Sequence, residues 1–292
     1  MTEATHNGSS TETALPEGKV IPCLDKGFVR LVDYMGSDAA IVQAARVSYG
    51  AGTKKVSEDR GLIRYLMRHA HTTPFEMVEL KFHVKLPIFV ARQWIRHRTA
   101  NVNEYSGRYS VMRDEFYLPE ATQIRPQSIN NKQGRSDEAL PGAEASDILA
   151  LLERGQKNAY EDYEALLEKD FARELARINL PVSQYTEWYW KIDLHNLFHF
   201  LRLRLDDHAQ YEIRVYAEAI AQMTREIVPM AFEAFEDYAL NAVRLTNPEL
   251  QAMKHLLAQT DTNMLSDDTL AASGLSKREM EEFRVKLRRM QL

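Results

Sequence analysis

Apolar and polar residues alternate over the segment 77–86, and this alternation predicts a β-strand. Leu80, Phe82 and Val84 are separated by charged or polar residues, a period of two that is typical of a strand with one buried face. Apolar, β-prone stretches predict three further strands, near residues 28–35, 108–118 and 184–192. We therefore expect a sheet of four strands.

Helical spacing of apolar residues predicts long helices between these strands. Leu62, Ile63 and Leu66, for example, share one face of a predicted helix. Helices are predicted over 38–46 after a capping Ser37, from Ser57, over 88–97, 147–168, 171–178 and 194–205, from Asp206 or Asp207 to 227, and over 231–240. Because strands and helices do not alternate regularly, we expect an α+β fold in which an antiparallel sheet is packed with long helices.

Composition divides the chain into three regions. Residues 1–19 are rich in Thr, Ser, Glu and Gly, lack apolar periodicity and are expected to form a disordered tail. Residues 20–245 form the expected main domain, whose Pro-, Gly-, Asn-, Gln- and Ser-rich segment 119–146 is expected to be a surface excursion. Residues 246–292 are charged and helix-prone, so we expect a helical C-terminal extension.

Charge and cysteine content narrow the possible classes of function. The 292 residues carry a formal net charge of −5, which argues against a nucleic-acid partner and against an anionic membrane surface. Cys23 is the one cysteine, so an intrachain disulfide and a cysteine-rich metal site are excluded. No apolar run reaches the ~18 residues of a membrane span, and no apolar signal core follows Met1. We expect a cytoplasmic enzyme whose basic residues act locally.

The densest polar stretch, residues 96–109, is the first candidate site. It contains Arg96, Arg98 and Arg108, together with Gly107, whose backbone freedom suits a tight loop. Arginine side chains and free main-chain N–H groups both bind phosphate oxygens well. The stretch therefore predicts a phosphate-binding loop, and a solvated surface loop is the alternative.

Arg204 marks a second candidate site. On the predicted helix 194–205, His195, His199 and Arg202 form one polar stripe, whereas Arg204 lies on the apolar side. Its stem could extend to solvent at the helix end, or its guanidinium could point into a pocket that holds an anion. The pattern alone leaves both interpretations open.

Several spaced motifs resemble those of the flavin-dependent thymidylate synthases. The central motif is Arg96-His97-Arg98 followed, after seven residues, by Ser106. The accompanying blocks are residues 71–76 and 93–94 upstream, and residues 106–109, 201–204 and 207–210 downstream. The resemblance covers the chain from about Leu24 to about Leu240.

This resemblance implies an activity, its cofactor and its partners. Members of the family convert dUMP to dTMP reductively in de novo dTMP biosynthesis. Methylenetetrahydrofolate donates the carbon, and FAD that has been reduced by NADPH supplies the hydride. The resemblance also implies a homotetramer with active sites shared between subunits. A thiol nucleophile, which the common thymidylate synthases use, is poorly supported because no basic dyad accompanies Cys23.

The resemblance further implies roles for individual residues. Arg204 is the implied catalytic residue, whose guanidinium stabilises the N3-ionised uracil and directs electron density toward C5. The residues implied to bind dUMP are Gln93, Trp94, Ile95, Arg96, Glu104, Tyr105, Ser106, Gly107, Arg108, Arg177 and Arg204. The residues implied to bind FAD are Ser48, His71, Thr73, Arg96, His97, Arg98, Glu104, Asp193, Leu194, His195 and His199.

Simpler interpretations exist for several of these residues. Ser106 fits a turn serine, and as a nucleophile it would have no histidine beside it in sequence. Arg177 fits a solvated pair with Arg173, four residues earlier. Ser48 fits a residue that ends a helix, and His71 fits a solvated loop histidine.

The sequence departs from the family pattern at the implied flavin site. Many members have Asn-Ala-Arg where this chain has Asp193-Leu194-His195, and Asn where it has His199. Because an imidazole titrates near pH ~6.5, we expect flavin affinity to vary with pH near neutrality.

Two other classes of protein compete with this interpretation. His195 and His199 are four residues apart and, with His208, could bind zinc, but Asn196 stands where a metalloprotease has its glutamate. The basic stretch could instead make the chain an RNA-binding module, against which the acidic net charge argues. Visible flavin absorbance would separate the three classes.

Overall fold

The structure is a computed structural model that describes residues 18–47, 59–129, 134–257 and 266–291. Nearly all of the expected disordered tail, Ser48 and the predicted helix start at Ser57 lie outside these residues. The chain divides into two compact units, residues 1–240 and 241–292.

A five-stranded antiparallel sheet forms the centre of the first unit. Its strands are β1 (Val20–Cys23), β2 (Gly27–Met35), β3 (Glu79–Pro87), β4 (Asn101–Glu104) and β5 (Tyr185–Asp193). The strand order is β1-β2-β3-β5-β4, so the two short strands form the edges. The predicted antiparallel sheet is therefore confirmed, and three of its four predicted strands correspond to β2, β3 and β5.

The fourth predicted strand, over 108–118, is wrong. Within that segment only an isolated bridge forms, between Phe116 and Gln184. Met112 and Phe116 are buried, but they pack against a helix and a neighbouring strand end rather than alternating along a strand. The additional edge strand β4 arises inside the polar stretch, where all four of its residues are exposed.

The described parts of the chain contain eleven α-helices. They are α1 (Asp38–Arg46), α2 (Asp59–Arg68), α3 (Ile88–Trp94), α4 (Gly142–Glu168), α5 (Arg173–Ala176), α6 (Leu194–Arg204), α7 (Tyr211–Ile227), α8 (Pro229–Phe235), α9 (Asn247–Leu257), α10 (Asp267–Ala272) and α11 (Lys277–Gln291). Short 3-10 helices lie at Thr73–Met77, Ala121–Gln123 and Arg177–Asn179, and a π-helical turn lies at Glu236–Leu240. Helices and an antiparallel sheet together confirm the α+β prediction.

Several predicted helix boundaries are wrong: α4 begins at Gly142 rather than 147, α5 covers only Arg173–Ala176, and two further differences lie near the candidate site. The helix after Pro87 ends at Trp94, because the next turn is closed by short-range bonds from His97 N to Trp94 O (2.9 Å) and from Arg96 N to Gln93 O (3.4 Å). Arg96 and His97 therefore leave the helix and do not share a face with Gln93. Helix α7 begins only at Tyr211, so neither Asp206 nor Asp207 caps it.

An aromatic cluster ties α3 and α6 to the sheet. The ring of Trp94 lies 5.1 Å from that of Trp190 and 4.8 Å from that of Phe200, measured between centroids. Trp188 and Tyr216 complete the cluster, at 5.6 and 6.0 Å from Trp94. Because protein interiors are close-packed, this cluster fixes the end of α3 relative to the end of α6.

A buried carboxylate joins α1 to α8. The side chain of Asp38 accepts hydrogen bonds from the main-chain N–H groups of Met230 and Ala231, both at 2.9 Å. These groups lie in the first turn of α8, where a helix has no internal acceptors. Ser37, which was expected to cap α1, makes no side-chain capping bond.

The segment 119–146 is anchored to the main unit. The N–H of Leu140 donates to the carbonyl of buried Ile124 at 2.8 Å, which closes the segment into a loop. Nη2 of Arg135 donates to both carboxylate oxygens of Glu212, each at 2.6 Å. Residues 142–146 already belong to α4.

The second unit consists of α9, α10 and α11. Ser266 caps α10 by accepting from the N–H of Thr269 at 3.1 Å, and Arg284 on α11 pairs with Asp267 on α10 at 2.6 Å. At the start of α11, Ser276 N donates to the buried Glu279 carboxylate at 2.9 Å. These contacts confirm that residues beyond 246 include helices, as the sequence predicts.

Candidate active site

A tight turn follows β4 and carries the predicted phosphate ligands. We call residues 105–110 the basic turn. The N–H groups of Tyr109 and Ser110 donate to the carbonyl of Ser106 at 3.1 and 3.2 Å, and the N–H of Arg108 donates to the Ser106 hydroxyl at 3.4 Å. The N–H of Tyr105 continues the strand pairing by donating to Glu187 O at 2.8 Å. Ser106 is thus a turn serine, as one of its two interpretations required.

Arg177 packs directly against the basic turn of its own chain. A Cβ atom added at Gly107 would lie 3.1 Å from Cδ of Arg177 and 2.6 Å from Sδ of Met112, so only glycine allows this approach. Arg173 donates from Nη1 to the carbonyl of Tyr109 at 3.0 Å. The predicted phosphate ligands 106–108 and Arg177 therefore lie together, although they are far apart in sequence.

A small satellite core supports the turn from below. Met112, Tyr163 and Ala176 are buried together. The hydroxyl of Tyr163 accepts from Met112 N at 3.0 Å, and the hydroxyl of Tyr160 donates to Met112 O at 3.0 Å. Helix α4 thus fixes residue 112, and through it the space beneath Gly107.

An open pocket of about 280 Å³ lies beside the basic turn. Its lining residues are Lys85, Tyr105, Met112, Arg113, Glu115, Tyr185, Thr186 and Glu187. Thr186 also donates its hydroxyl to Glu104 Oε1 at 2.8 Å, which orients this carboxylate on the edge strand. The pocket brings together strand ends from β3, β4 and β5.

The polar stretch 96–109 contains three arginines that are exposed to solvent, Arg96, Arg98 and Arg108. Arg108 lies over the ring of Tyr109, with 5.4 Å between Cζ and the ring centroid. The guanidinium groups of Arg96 and Arg98 make no hydrogen bond or ion pair to any described residue, so they are available to an anionic ligand.

Arg204 turns toward His97 rather than extending freely to solvent. Its Nε donates to Nε2 of His97 at 3.0 Å. The rings of Phe200 and His199 lie 4.9 and 5.9 Å from that of His97. We call His97, His199, Phe200 and Arg204 the imidazole cluster. Arg204 is therefore half-buried and oriented by His97, and its role in a pocket that holds an anion stays a prediction.

The imidazole cluster keeps His97 neutral. Burial, followed by the positive charges of Arg204 and His199, lowers the pKa of His97 from 6.5 to about 4. Since Nε2 accepts a hydrogen bond, the ring proton resides on Nδ1. Burial also lowers the pKa of Arg204 and, with the charges of Arg202 and His195, that of His199. With Nε engaged, the terminal nitrogens of Arg204 stay available as donors to a ligand.

Several predicted flavin residues lie on α6 or on the segment between α2 and β3. His71 follows α2, Thr73 begins the next 3-10 helix, and both are exposed. This 3-10 helix packs on α6, with 6.5 Å between the ring centroids of Phe75 and Phe198. Asp193 accepts from Asn196 N at 3.0 Å and caps α6, the helix that carries His195 and His199. The 3-10 helix that begins at Thr73 thus packs against the helix that carries His195 and His199.

Two predicted ligand residues belong to the hydrophobic core. The side chains of Trp94 and Leu194 are both 0% exposed. Their aromatic and aliphatic surfaces pack against the sheet, so only their main-chain atoms could contact a ligand. Ile95, in contrast, is 40% exposed.

A buried polar network connects Gln93 to α7. The amide of Gln93 donates to Oε1 of Gln210, whose own amide donates to Glu212 Oε2 at 2.8 Å. Arg135 and the hydroxyl of Tyr117 also bind the Glu212 carboxylate, the latter at 3.1 Å. No sequence motif includes Glu212, Arg135 or Tyr117. Gln210 at the end of the block 207–210 was the one signal that pointed to this network.

No hydrogen bond, ion pair or ring contact among the described residues joins the basic turn to the imidazole cluster. Among the described residues, no group of three or more His, Cys, Asp or Glu side chains is arranged so that it could hold a metal ion. The proposed zinc ligands His195, His199 and His208 therefore find no support. None of the described helices is both long enough and apolar enough to cross a membrane.

Comparisons with known proteins identify the family. A family model described as thymidylate synthase complementing protein matches residues 30–230. A flavin-dependent thymidylate synthase of Ruegeria pomeroyi is 59% identical over 266 residues, which cover 90% of this chain and 86% of that protein. The chain belongs to the flavin-dependent thymidylate synthase family. The resemblance carried by the Arg96-His97-Arg98 motif is thus confirmed.

Further relatives agree with this membership. The flavin-dependent thymidylate synthase of Treponema denticola is 55% identical over 270 residues, covering 92% of this chain and 97% of that protein. The crystal structure of the UMP/dUMP methylase PolB from Streptomyces cacaoi, bound with 5-Br dUMP, superposes with a TM-score of 0.69 at 35% identity. It covers 75% of this chain and 99% of that chain. The flavin-dependent thymidylate synthase fold predicted from the motifs is confirmed as well.

Proposed function

We propose that this chain methylates dUMP reductively to dTMP, with methylenetetrahydrofolate as the carbon donor and FAD as the cofactor. NADPH is the proposed reductant, and the enzyme is proposed to be cytoplasmic. The names of the relatives support the flavin and the thymidylate product, and the nucleotide in the PolB structure supports dUMP. The observation that carries the proposal is the inward guanidinium of Arg204, held by a neutral imidazole.

Arg204 is the proposed catalytic residue. C5 of uracil is a poor nucleophile. The electron density at C5 rises when the ring is in its N3-ionised form, and hydrogen-bond donors on the N3–O4 side of the ring stabilise that form. The terminal nitrogens of Arg204 make no hydrogen bond to a residue that the structure describes, and a partly buried guanidinium stabilises such charge more strongly than one in bulk water. A thiol route is disfavoured because burial raises the pKa of Cys23, the one cysteine, to about 12.

The basic turn is the proposed phosphate site. Arg177 and Arg108 offer guanidinium groups beside the turn formed by Ser106 and Gly107. Glu104, oriented by Thr186, is the proposed ligand of the sugar. Exposed Arg96 and Arg98, together with His71, Thr73, His195 and His199, form the proposed flavin site, where unpaired guanidinium groups suit the pyrophosphate. The bound flavin would supply the hydride.

A homotetramer with shared active sites is part of the proposal. In the proposed function one nucleotide binds both the basic turn and Arg204. These two groups of residues do not contact each other within the described parts of one chain. Two copies that face each other could bring the basic turn of one next to the imidazole cluster of the other. The molar mass in solution, measured by light scattering, tests this assembly.

Tritium release from dUMP labelled at C5 tests the reaction. We expect release that requires both NADPH and methylenetetrahydrofolate. Arg204→Ala should lower the rate by about 10²-fold to 10³-fold, as is typical when one donor to a developing charge is removed. The variant should retain FAD, because the proposed flavin residues lie on other turns.

Arg154→Ala is the matched control for this experiment. Arg154 is an exposed arginine of α4 that belongs to neither proposed site, and its loss should leave turnover unchanged. Near-normal turnover in Arg204→Ala would remove Arg204 from the chemistry. A wild-type protein that neither binds flavin nor releases tritium would overturn the proposed function itself.

A further inference from the structure

The amide of Gln93 is held by a directed chain of hydrogen bonds. The chain runs from Gln93 to Gln210, on to Glu212, and ends at Arg135 on the segment 119–146. Glu212 is only 3% exposed, and Arg135 donates to both of its oxygens at 2.6 Å. A buried carboxylate whose two oxygens face a guanidinium, a hydroxyl and an amide NH₂ group acts as an acceptor in all of these hydrogen bonds.

The charge of Glu212 fixes the direction of each bond in the chain. Because the carboxylate cannot donate, Gln210 must turn its NH₂ group toward Glu212 and its carbonyl oxygen toward Gln93. Gln93 must then turn its own NH₂ group toward Gln210. The carbonyl oxygen of Gln93 is thereby left as an acceptor on the opposite side of the amide. Without Glu212, either end of each amide could face its neighbour.

Further contacts hold Glu212 and Arg135 in this arrangement. The hydroxyl of Tyr117 donates to Glu212 Oε1 at 3.1 Å, and burial, aided by the negative charge of Glu212, raises the pKa of Tyr117 so that the hydroxyl stays protonated. Arg135 also donates from Nη1 to Gln123 O at 3.0 Å, and its Cζ lies 5.8 Å from the ring centroid of Tyr211. Arg135, on the segment 119–146, thus supplies the positive charge that holds the Glu212 carboxylate in place and keeps the hydrogen bonds in this direction.

We propose that Arg135 is a positioning residue that acts through Glu212 and Gln210 to present the carbonyl oxygen of Gln93 to a donor group of the nucleotide. The donor is a sugar hydroxyl or a ring N–H. This inference rests on the proposed function and on the contact with dUMP that the family resemblance implies for Gln93. It gives the segment 119–146 a role in substrate binding that its polar composition does not suggest.

The test is a double-mutant cycle on the dissociation constant of dUMP, measured by calorimetry on the FAD-loaded full chain. Gln93→Leu should raise this constant about threefold to tenfold, the worth of one hydrogen bond. Arg135→Met removes the guanidinium that holds both Glu212 oxygens, so the carboxylate is no longer fixed against Gln210. This variant should raise the constant by a similar factor in the wild-type background and by nothing further in the Gln93→Leu background. The kcat at saturating dUMP should not change, because uniform binding alone is lost.

Arg125→Met is the matched control. Arg125 lies on the same segment, and its Nε donates to Thr122 O at 3.0 Å, away from the network. This variant should leave the dUMP constant unchanged. If Arg135→Met does not fold because Glu212 is left unpaired, the pair Arg135→Met with Glu212→Gln removes the buried charge. It also removes the direction of the bonds, so the same rise in the constant is expected.

The possible outcomes separate the relay from the proposed function. Equal effects of Arg135→Met, or of the pair with Glu212→Gln, in the wild-type and Gln93→Leu backgrounds would indicate a general structural defect and would overturn the relay. An unchanged dissociation constant for dUMP in Arg135→Met would also overturn the relay, as would an unchanged constant in Gln93→Leu while turnover persists. In these cases the proposed function stands. A wild-type protein that binds no dUMP would overturn both.

Discussion

Gly107→Ala tests whether Arg177 and the basic turn form one phosphate site. The added Cβ atom would lie 2.6 Å from Met112 Sδ, 3.3 Å from Met112 Cγ and 3.1 Å from Arg177 Cδ. Favourable contacts between such atoms begin at about 3.5 Å, so the sulfur must retreat by about 1 Å. The substitution therefore forces either Met112 or Arg177 to move.

Met112 has little freedom to yield. It is 6% exposed, and its main-chain N and O are both bound by tyrosine hydroxyls of α4. Overpacking of such a site costs about 1–3 kcal/mol, and we expect Gly107→Ala to lower the free energy of unfolding by that amount. Displacement of Arg177 should also weaken its contact with the phosphate. Loss of one charge-assisted hydrogen bond, about 1.5 kcal/mol, corresponds to an approximately tenfold higher dissociation constant for dUMP.

Two measurements check this prediction: urea unfolding and dUMP binding to the FAD-loaded protein. FAD affinity should stay constant, because the proposed flavin residues belong to other elements. Met112→Ala removes the clashing atoms, so the double variant should bind dUMP better than Gly107→Ala alone. Gly155→Ala is the control, since a Cβ atom there meets nothing within 4 Å. It lies inside α4 and should stabilise the protein by about 0.5–1 kcal/mol. Unchanged stability and unchanged dUMP affinity in Gly107→Ala would refute the reasoning.

Three further predictions concern stability and pH. Asp38→Ala should lower the free energy of unfolding by about 2–4 kcal/mol in urea titrations, because two N–H groups of α8 lose their acceptor. Because the pKa of His97 falls from 6.5 to about 4 on folding, the unfolded chain binds the extra proton, and acidification from pH 6.5 toward 4 should lower stability. Solvent screening limits the loss to about 1–2 kcal/mol, measured by urea unfolding at several pH values. Since burial lowers the pKa of His199, the change in FAD affinity should occur below pH ~6.5 rather than at pH 7–8, as binding titrations would show.

Conservative variants provide the controls. Asp38→Asn keeps one acceptor oxygen and should lose less stability than Asp38→Ala, and equal stability of all three proteins would contradict the capping role. His97→Gln keeps an acceptor for Arg204 but cannot titrate, so its stability should lack the decrease of the wild type between pH 6.5 and 4. A FAD dissociation constant that is flat from about pH 5 to 8 would exclude titration at His199.

Periodicity predicted the parts of the fold that bury one face. Strand β3 follows from alternation, and β2 and β5 follow from apolar, β-prone stretches, because the apolar side chains of all three strands pack into one core. Strand β4 has four exposed residues and carries no alternation; it exists because its main chain pairs with β5. The early end of α3 at Trp94 has a similar cause. The burial of this ring among Trp190 and Phe200 is a tertiary contact that spacing along the sequence does not reveal.

The motifs marked candidate positions but not how their side chains meet. They marked Gln93, His97 and Arg204, and the bond between His97 and Arg204 needed the structure. The acidic and basic partners Glu212 and Arg135 are distant in sequence and look like ordinary surface charges. Hydrogen-bond partners at such separation leave no local pattern, so the sequence predicted the candidate site only as a set of positions.

The partners of two arginines explain why they suit different tasks. Arg135 faces an ionised carboxylate, which cancels its charge and makes the pair a fixed structural element. Arg204 faces His97, a neutral ring that accepts one hydrogen bond and orients the guanidinium without cancelling its charge. A carboxylate in the place of His97 would hold Arg204 equally well but would neutralise it before a nucleotide arrived. A group that must stabilise a developing anion needs a partner of this neutral kind, and the lowered pKa of His97 ensures that the partner stays neutral at physiological pH.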